Sequence, residues 1–199
     1  MRYKEVGRLE IPEARDKEQI TNLLHFIGED PLREGLQDTP KRVLKSWKNE
    51  IFKGYNQDPK ALFTTFENEK YDQIILCRNI EIYSMCEHHM LPFFGTAHVA
   101  YIPSERIIGV SKLARLVDMY ARRLQIQERI GQQVTDDLMN YLQPKGAACI
   151  INAVHMCMRM RGCSQQQSSM ITSSMKGVFL SDPAARGELM DLIMLRGSV

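Results

Sequence analysis

The stretch NIEIYSMCEHHMLPFFGTAHVAYI, residues 79–102, decides the fold, because two apolar, alternating runs flank one polar turn. Alternation of apolar and polar residues is typical of a strand with one buried face. We therefore predict strands from Gln73 to Met85 and from Phe94 to Ile102. The turn between them, Cys86-Glu87-His88-His89, places a thiol, a carboxylate and two imidazoles side by side. It is the first candidate for a functional site.

Helix and strand patterns follow one another on the C-terminal side of this hairpin. Apolar residues at helical spacing predict helices from Ser111 to about Arg123 and from Gln127 or Glu128 to about Leu142. A mostly apolar run from Ala147 to Arg161 predicts a strand that is buried on both faces. Met170 to Leu180 predicts a further strand, and Asp182-Pro183 begins a last helix.

The N-terminal side of the hairpin is predicted to be helical. One helix is expected from Asp16 to Ile27, and a second from Thr39, its N-cap, to Gly54. The chain then divides into an N-terminal helical region with an arm, residues 1–70, and a strand-containing domain, residues 71–199. In that domain two strand pairs bracket a helix pair, which predicts an α+β fold.

Composition narrows the classes of function. The 199 residues carry a net charge of only +2, so strong attraction to nucleic acid is not expected. No apolar stretch reaches the roughly 20 residues of a membrane helix, and residues 1–5 lack the apolar segment of a signal peptide. The five widely spaced cysteines are better explained as thiols or metal ligands than as disulfides. We expect a cytoplasmic protein without nucleic-acid or membrane partners.

Cysteine and histidine recur in two clusters that favour a metal site. Cys86 and His89 have the Cys-x-x-His spacing with which a single turn supplies two ligands. His155 and Cys157 are i and i+2 on the predicted third strand, so they are expected to share a face, and two arginines continue that face. A buried thiol beside a hydrogen-bonded histidine is the alternative explanation for the second cluster.

The donor types indicate which metal and which kind of site to expect. Two thiolates and one imidazole favour Zn²⁺ over Mg²⁺ or Ca²⁺, which prefer oxygen ligands. Three protein ligands leave the fourth tetrahedral position open, as in catalytic zinc sites. Spacing favours His89 over His88 as the ligand, because Cys86 and His89 can close one small loop around an ion. His88 and His155 then remain for proton transfer near neutral pH.

Several motifs, in order and at similar spacing, resemble the GTP cyclohydrolase I family from about Thr39 to the C-terminus. They are TPKRV at 39–43, SMCEHH at 84–89, VAYIP at 99–103, IGVSKLAR at 108–115, QIQER at 125–129, AVHMC at 153–157 and RG at 161–162. The resemblance implies a T-fold, an antiparallel sheet with paired helices on one face. It also implies that subunits join edge to edge into a pentameric barrel and that two pentamers stack into a homodecamer with interfacial active sites.

The resemblance further implies an activity and the residues that carry it. One Zn²⁺ per subunit would be held by Cys86, His89 and Cys157. GTP and water would be converted to 7,8-dihydroneopterin triphosphate and formate, the first step of tetrahydrofolate and pterin biosynthesis. His155 would protonate N7 of the purine, while His88 and Ser111 would act in the later opening and rearrangement of the ribose. The implied substrate-binding residues are Gln127 and Glu128 at the guanine, and Arg42, Lys112, Arg115 and Arg161 at the triphosphate.

Two alternatives remain open at this point. A T-fold relative with the same first reaction could serve a deazapurine or another pterin-like pathway, and it would share the catalytic residues. A zinc-stabilised binding module without catalysis is the other alternative. The two non-ligand histidines argue against such a module, because a structural metal site has no use for them.

Overall fold

The structure is a computed structural model of the chain and describes residues 13–195. Most of the arm predicted before Asp16 lies outside these residues. The chain divides into two compact units, one ending at Glu50 and one beginning at Ile51. The boundary predicted at residue 70 separates the helical region from the strand-containing domain, which is a different criterion from compactness. That boundary stays a prediction.

The first unit contains two helices, α1 (Glu13–Phe26) and α2 (Thr39–Ser46). The helix predicted from Thr39 to Gly54 is present but ends earlier, because α2 widens into a π-helical turn at Trp47–Ile51 and Gly54 lies in a separate 3₁₀ turn. Thr39 is not the N-cap. Asp38 holds that position, without a side-chain capping bond, and Pro40 lies in the first turn, where its missing N–H costs no helical hydrogen bond.

The second unit is built on a five-stranded sheet. Two 3₁₀ turns, Lys53–Asn56 and Pro59–Leu62, lead into it. A separate short pair, β1 (Thr65–Glu67) with β4 (Arg106–Ile108), is antiparallel. The strands of the main sheet are β2 (Ile75–Cys86), β3 (Pro92–Ile102), β5 (Leu124–Gln125), β6 (Gly146–His155) and β7 (Met170–Gly177). Their order is β5-β2-β3-β6-β7, antiparallel except for the short β2–β5 contact.

Helices cover both faces of this sheet. On one face, α3 (Val110–Ala121) packs on β2, while α4 (Gln127–Asp137), which continues as a π-helical turn Leu138–Leu142, packs on β6 and β7. Two short helices, α5 (Met156–Arg159) and α6 (Val178–Ser181), and the longer α7 (Pro183–Met194) complete the fold. The predicted α+β arrangement, an antiparallel sheet with paired helices on one face, is confirmed.

Alternation along the central strands separates two cores. Val99 and Ile151 belong to the large core under α3 and α4, whereas Ala100 and Ile150 belong to a smaller core with Phe179 of α6. Because neighbouring residues of a strand point to opposite faces, β3 and β6 are buried on both sides. This confirms the prediction that the strand beginning near Ala147 is buried on both faces. Within residues 13–195, no helix combines the length and the apolar character needed to cross a bilayer.

Two strands end earlier than predicted. β6 stops at His155 instead of Arg161, and α5 begins at once. Its last pair is with Phe93, and the residue beyond on β3 is Pro92, which has no N–H for a ladder bond. β7 stops at Gly177, whose φ of +58° turns the chain into α6 instead of continuing to Leu180.

Candidate active site

A tight hairpin carries the Cys86–His89 turn between β2 and β3. The N–H of Cys86 donates to the carbonyl of Leu91 at 2.9 Å, and the N–H of Met90 donates to the carbonyl of Cys86 at 2.8 Å. Met90 itself has a left-handed φ of +52°, which lets so short a loop close. The sulfur of Cys86 is buried at the end of the strand, and the turn presents the two histidines at the surface.

Three donor side chains converge at this hairpin. One ligand atom each from Cys86, His89 and Cys157 lies within 4.8 Å of the others. Tetrahedral coordination of Zn²⁺ needs ligand atoms about 3.5–3.8 Å apart, from bond lengths of about 2.0–2.3 Å, and the Cys86 sulfur is already 3.9 Å from His89 Nδ1. The donor set and its spacing therefore fit a zinc ion with modest adjustment. The ligand role of these three residues remains a prediction.

His88 and His89 differ in whether they lie close to the thiol of Cys157. His88 Nδ1 is also 3.9 Å from the Cys86 sulfur, so that distance alone does not separate the two imidazoles. Among the described residues, however, His89 and not His88 belongs to the group that includes Cys157. His88 instead turns outward, 64% exposed, with Nε2 3.9 Å from a Glu87 oxygen.

Cys157 reaches the group from α5, not from the strand. The prediction that His155 and Cys157 share a strand face is wrong, since β6 ends between them. Burial and the neighbouring Cys86 raise the pKa of the Cys157 thiol, and the positive charge of Arg161 partly offsets this. Metal binding through the Cys157 sulfur would therefore release a proton from that thiol.

His155 is held between an aromatic ring and an amide. Its ring stacks on Phe93, with centroids 4.5 Å apart and planes 4° from parallel. Its Nε2 lies 2.8 Å from Oε1 of Gln127. Burial lowers the pKa of His155, against a smaller opposing effect of the Glu128 carboxylate. The neutral imidazole is therefore favoured at this position.

The contacts of Gln127 determine which nitrogen of His155 carries the proton. Gln127 is only 1% exposed. Its amide nitrogen donates to the carbonyls of Ile151 and Met170, both at 3.0 Å, and to the hydroxyl of Thr172 at 3.1 Å. Because three oxygens surround the nitrogen, the amide oxygen must face His155 and accept from it. Neutral His155 thus carries its hydrogen on Nε2, which leaves Nδ1 as the acceptor.

The remaining predicted site residues are spread over α3, α4, the segment after α5 and the first unit. Those at the start of α3 lie toward the Ile75 end of β2, away from Cys86. Glu128 is exposed in the first turn of α4, and Arg161 is exposed just beyond α5. Glu128 acts electrostatically on His155, and Arg161 acts on Cys157. The residues predicted on α3, all in its first two turns, are Ser111, Lys112 and Arg115. Arg42 lies on α2 in the first unit, 70% exposed, 3.4 Å from Asp38.

Sequence reasoning missed three residues of this region. Glu87, for which the sequence indicated no role, receives two bonds from the Arg129 guanidinium, at 2.5 and 3.0 Å. These bonds hold the pKa of the Glu87 carboxyl below its ordinary value. Arg129 lies in the QIQER motif and Glu87 lies next to Cys86. Their positions in these motifs could have indicated that both residues belong to the site. The Phe93 ring under His155 had no such signal, because their contact depends on strand register.

Comparison with known proteins adds an independent observation. The profile of the GTP cyclohydrolase I family matches residues 16–194. A Wolinella succinogenes protein named GTP cyclohydrolase 1 is 53% identical over 175 residues, 87% of this chain and 93% of that protein. A protein of the same name from Geobacillus kaustophilus is 48% identical over 185 residues, 92% of this chain and 98% of that protein. An apo archaeosine synthase QueF-Like crystal structure gives a TM-score of 0.44 at 14% identity, over 54% of this chain and 97% of that one.

Proposed function

The chain belongs to the GTP cyclohydrolase I family, and from this premise we propose how its own residues carry out the family's hydrolysis of GTP. The products are 7,8-dihydroneopterin triphosphate and formate, and the former enters pterin and folate biosynthesis. The observation that carries the proposal is the convergence of one imidazole and two thiols within 4.8 Å, next to a histidine whose tautomer is fixed.

Cys86, His89 and Cys157 are proposed to hold one Zn²⁺ per subunit. Support comes from the donor types and from the fit of their spacing to tetrahedral coordination. When bound, such an ion supplies Lewis acidity and a water of lowered pKa for attack on C8 of the guanine. Hydrogen bonds to the residues beside these ligands matter as well, because they orient the ligand side chains.

His155 is proposed to deliver the proton that purine N7 receives as the imidazole ring of the base opens. Gln127 keeps the hydrogen on Nε2, so Nδ1 is the nitrogen left to take up a proton and to give it. The stacked ring of Phe93 limits rotation of the imidazole. We propose that Gln127 acts on the substrate through His155, because its amide already bonds to four groups of the chain.

The remaining residues are proposed to bind and position GTP. The exposed carboxylate of Glu128 accepts from the N1–H and the amino group of the guanine. Several cations are needed for a triphosphate, and Arg can grip phosphate oxygens with two bonds. The cations proposed for this are Arg42, Lys112, Arg115 and Arg161. His88 and Ser111 are proposed to act in the opening and rearrangement of the ribose.

Assembly into a homodecamer and a cytoplasmic location complete the proposal. β5 pairs with β2 only at Met85 and Cys86, so the outer edge of β2 from Ile75 to Ser84 has no strand partner within residues 13–195. The outer edge of β7 is likewise open there. Two open edges of one sheet favour head-to-tail closure into a ring. The five cysteines are free thiols, which supports a location in a reducing compartment such as the cytoplasm.

The direct test is to incubate the zinc-loaded full-length chain with GTP. We expect formate together with a pterin that fluoresces as neopterin after oxidation. Absence of both products, with zinc bound and the decamer verified, would overturn the proposal.

His155→Ala tests the proton-transfer step. We expect turnover to fall by the roughly 10²–10⁴-fold that a positioned general acid contributes, with the zinc content unchanged. His98→Ala is the matched control, because His98 is another partly buried histidine of the same sheet, and it should retain turnover. Loss of zinc in His155→Ala would show instead that His155 is a ligand.

A further inference from the structure

Glu87 stands between two proposed ligands but is not one of the converging donors. Its carboxylate instead binds the guanidinium of Arg129 through both oxygens. The two side chains are 31% and 24% exposed. Paired, planar bonds of this kind are stronger and more directional than an exposed ion pair.

A backbone connection runs parallel to this ion pair. The N–H of Glu87 donates to the carbonyl of Gln125 at 3.0 Å, and Cys86 is in register with Gln125 in the β2–β5 contact. The Gln125 amide is itself bonded to the carbonyl of Tyr120 and to Gln133. The hairpin turn is therefore fastened at Glu87 to the segment that leads into α4.

That same segment carries the groups that orient His155. Gln127 opens α4, and Arg129 lies two residues later on it. One helical turn thus contacts the metal-binding hairpin through Arg129 and the proton donor through Gln127. A shift of either contact would move the proposed ligands and the proposed acid relative to each other.

We propose that Glu87 and Arg129 are positioning residues that clamp the hairpin, so that Cys86 and His89 meet Cys157 around the metal. The inference rests on the proposed metal site and not on turnover. The clamp acts through geometry, because the charge of Arg129 balances that of Glu87. Holding the side chains of the turn in one arrangement removes an entropic cost from metal binding.

Glu87→Gln, Arg129→Gln and the double variant test the clamp on full-length protein stripped of metal. Co²⁺ is the probe, its affinity measured by chelator competition and its ligands by thiolate-to-cobalt absorption. Each single variant should bind Co²⁺ about 10–100-fold more weakly, the range for residues that support ligands. The double variant should be no weaker than the weaker single one, because both remove the same contact.

The sign of the Arg129→Gln effect separates the clamp from an alternative. If Glu87 acted by its charge on the metal, freeing it from Arg129 would tighten Co²⁺ binding. Tighter or unchanged binding in Arg129→Gln therefore overturns the proposal. Arg129→Lys, which keeps the charge but not the paired bonds, should lie between wild type and Arg129→Gln.

Asp118→Asn provides the matched control. Asp118 is 37% exposed and is held by Lys53 at 2.6 Å and by Arg122 at 3.0 Å, in another part of the second unit. It should leave Co²⁺ affinity unchanged, and an equal loss there would show a general effect of removing carboxylates. Co²⁺ affinity is measured without GTP, so it tests the clamp separately from the reaction. If Arg129→Gln binds Co²⁺ more weakly but the wild-type chain does not turn over GTP, the clamp is supported and only the proposed reaction is rejected.

Discussion

A single glutamine side chain joins the proposed acid to two strands. Gln127 donates to main-chain carbonyls of β6 and β7 and accepts from His155. None of these contacts is local in sequence, since the partners lie 24 to 43 residues away. The orientation of one imidazole therefore depends on the packing of a helix against the sheet.

Gln127→Met tests this dependence at the level of the residue. Methionine keeps the length of the side chain but removes all four hydrogen bonds, so that His155 loses its fixed tautomer and one restraint on its rotation. We expect kcat to fall about 10²-fold, within the contribution of a positioned general acid, while zinc stays bound. Gln132→Met, on the exposed side of the same helix, is the control. Equal kcat values for the two variants would contradict the role given to Gln127.

Sequence reasoning reached the donor set but not the groups around it. Residue type and spacing were sufficient to group Cys86 with His89. Cys157 was included by its residue type, although the strand-face argument for it was wrong. The bond between Glu87 and Arg129 spans 42 residues, and the Phe93–His155 stack depends on strand register. Contacts between residues so far apart in the chain cannot be read from local spacing, so the sequence did not show these partners.

At the level of elements, the end of β6 shows why strand limits are hard to predict. Met156, Cys157 and Met158 continue the apolar run of the strand and fit a helix equally well. The strand nevertheless ends at His155, where its partner β3 begins with Pro92. The partner's sequence, not the strand's own, therefore determines where Cys157 lies.

A buried polar contact joins two helices of the same face. Tyr120 of α3 donates to Asp137, the last residue of α4, at 2.5 Å, and Asp137 is only 9% exposed. Burial raises the pKa of the Asp137 carboxyl, although the bond from Tyr120 opposes this. The folded protein therefore binds a proton here more readily than the unfolded chain does. The contribution of this group to stability is greatest at low pH and declines as pH rises through the raised pKa.

Asp137→Asn should remove that decline. Asparagine still accepts the bond from Tyr120 but cannot ionise, so the variant gains stability relative to wild type as pH rises. We expect the difference in melting temperature, variant minus wild type, to be larger at pH 8 than at about pH 4, which is close to the ordinary pKa of an Asp carboxyl. A difference that stays constant between these two pH values would mean that Asp137 does not titrate with folding.

At the level of the whole molecule, the assembly is expected from two edges of the sheet that have no strand partner within residues 13–195. The Ile75–Ser84 edge of β2 and the edge of β7 belong to opposite ends of the strand order, so each copy offers two different edges to its neighbours. A contact between two different edges is head-to-tail. Repeated head-to-tail contacts close into a ring when a whole number of the rotations between neighbouring copies adds up to a full turn. The proposed decamer is two such rings of five.

Native mass spectrometry measures this assembly directly. Ten chains of 23.0 kDa give a particle of about 230 kDa, and dissociation should yield particles built from five chains. The closed ring leaves no open edge, which is the physical reason to expect it in place of an open chain of copies. A chain that stays at 23.0 kDa while turning over GTP at its full rate would exclude the shared active site.

The contacts of Gln127 with Met170 and Thr172 have a thermodynamic consequence, because both of these residues lie on the edge strand β7. A neighbour that orders β7 also orders the amide that holds His155. Thermodynamic linkage makes such a coupling reciprocal. If contact between subunits increases the affinity for GTP beside His155 by some factor, bound GTP increases the affinity between subunits by the same factor. In the proposed decamer, dilution is therefore expected to lower activity, and GTP is expected to protect against that loss.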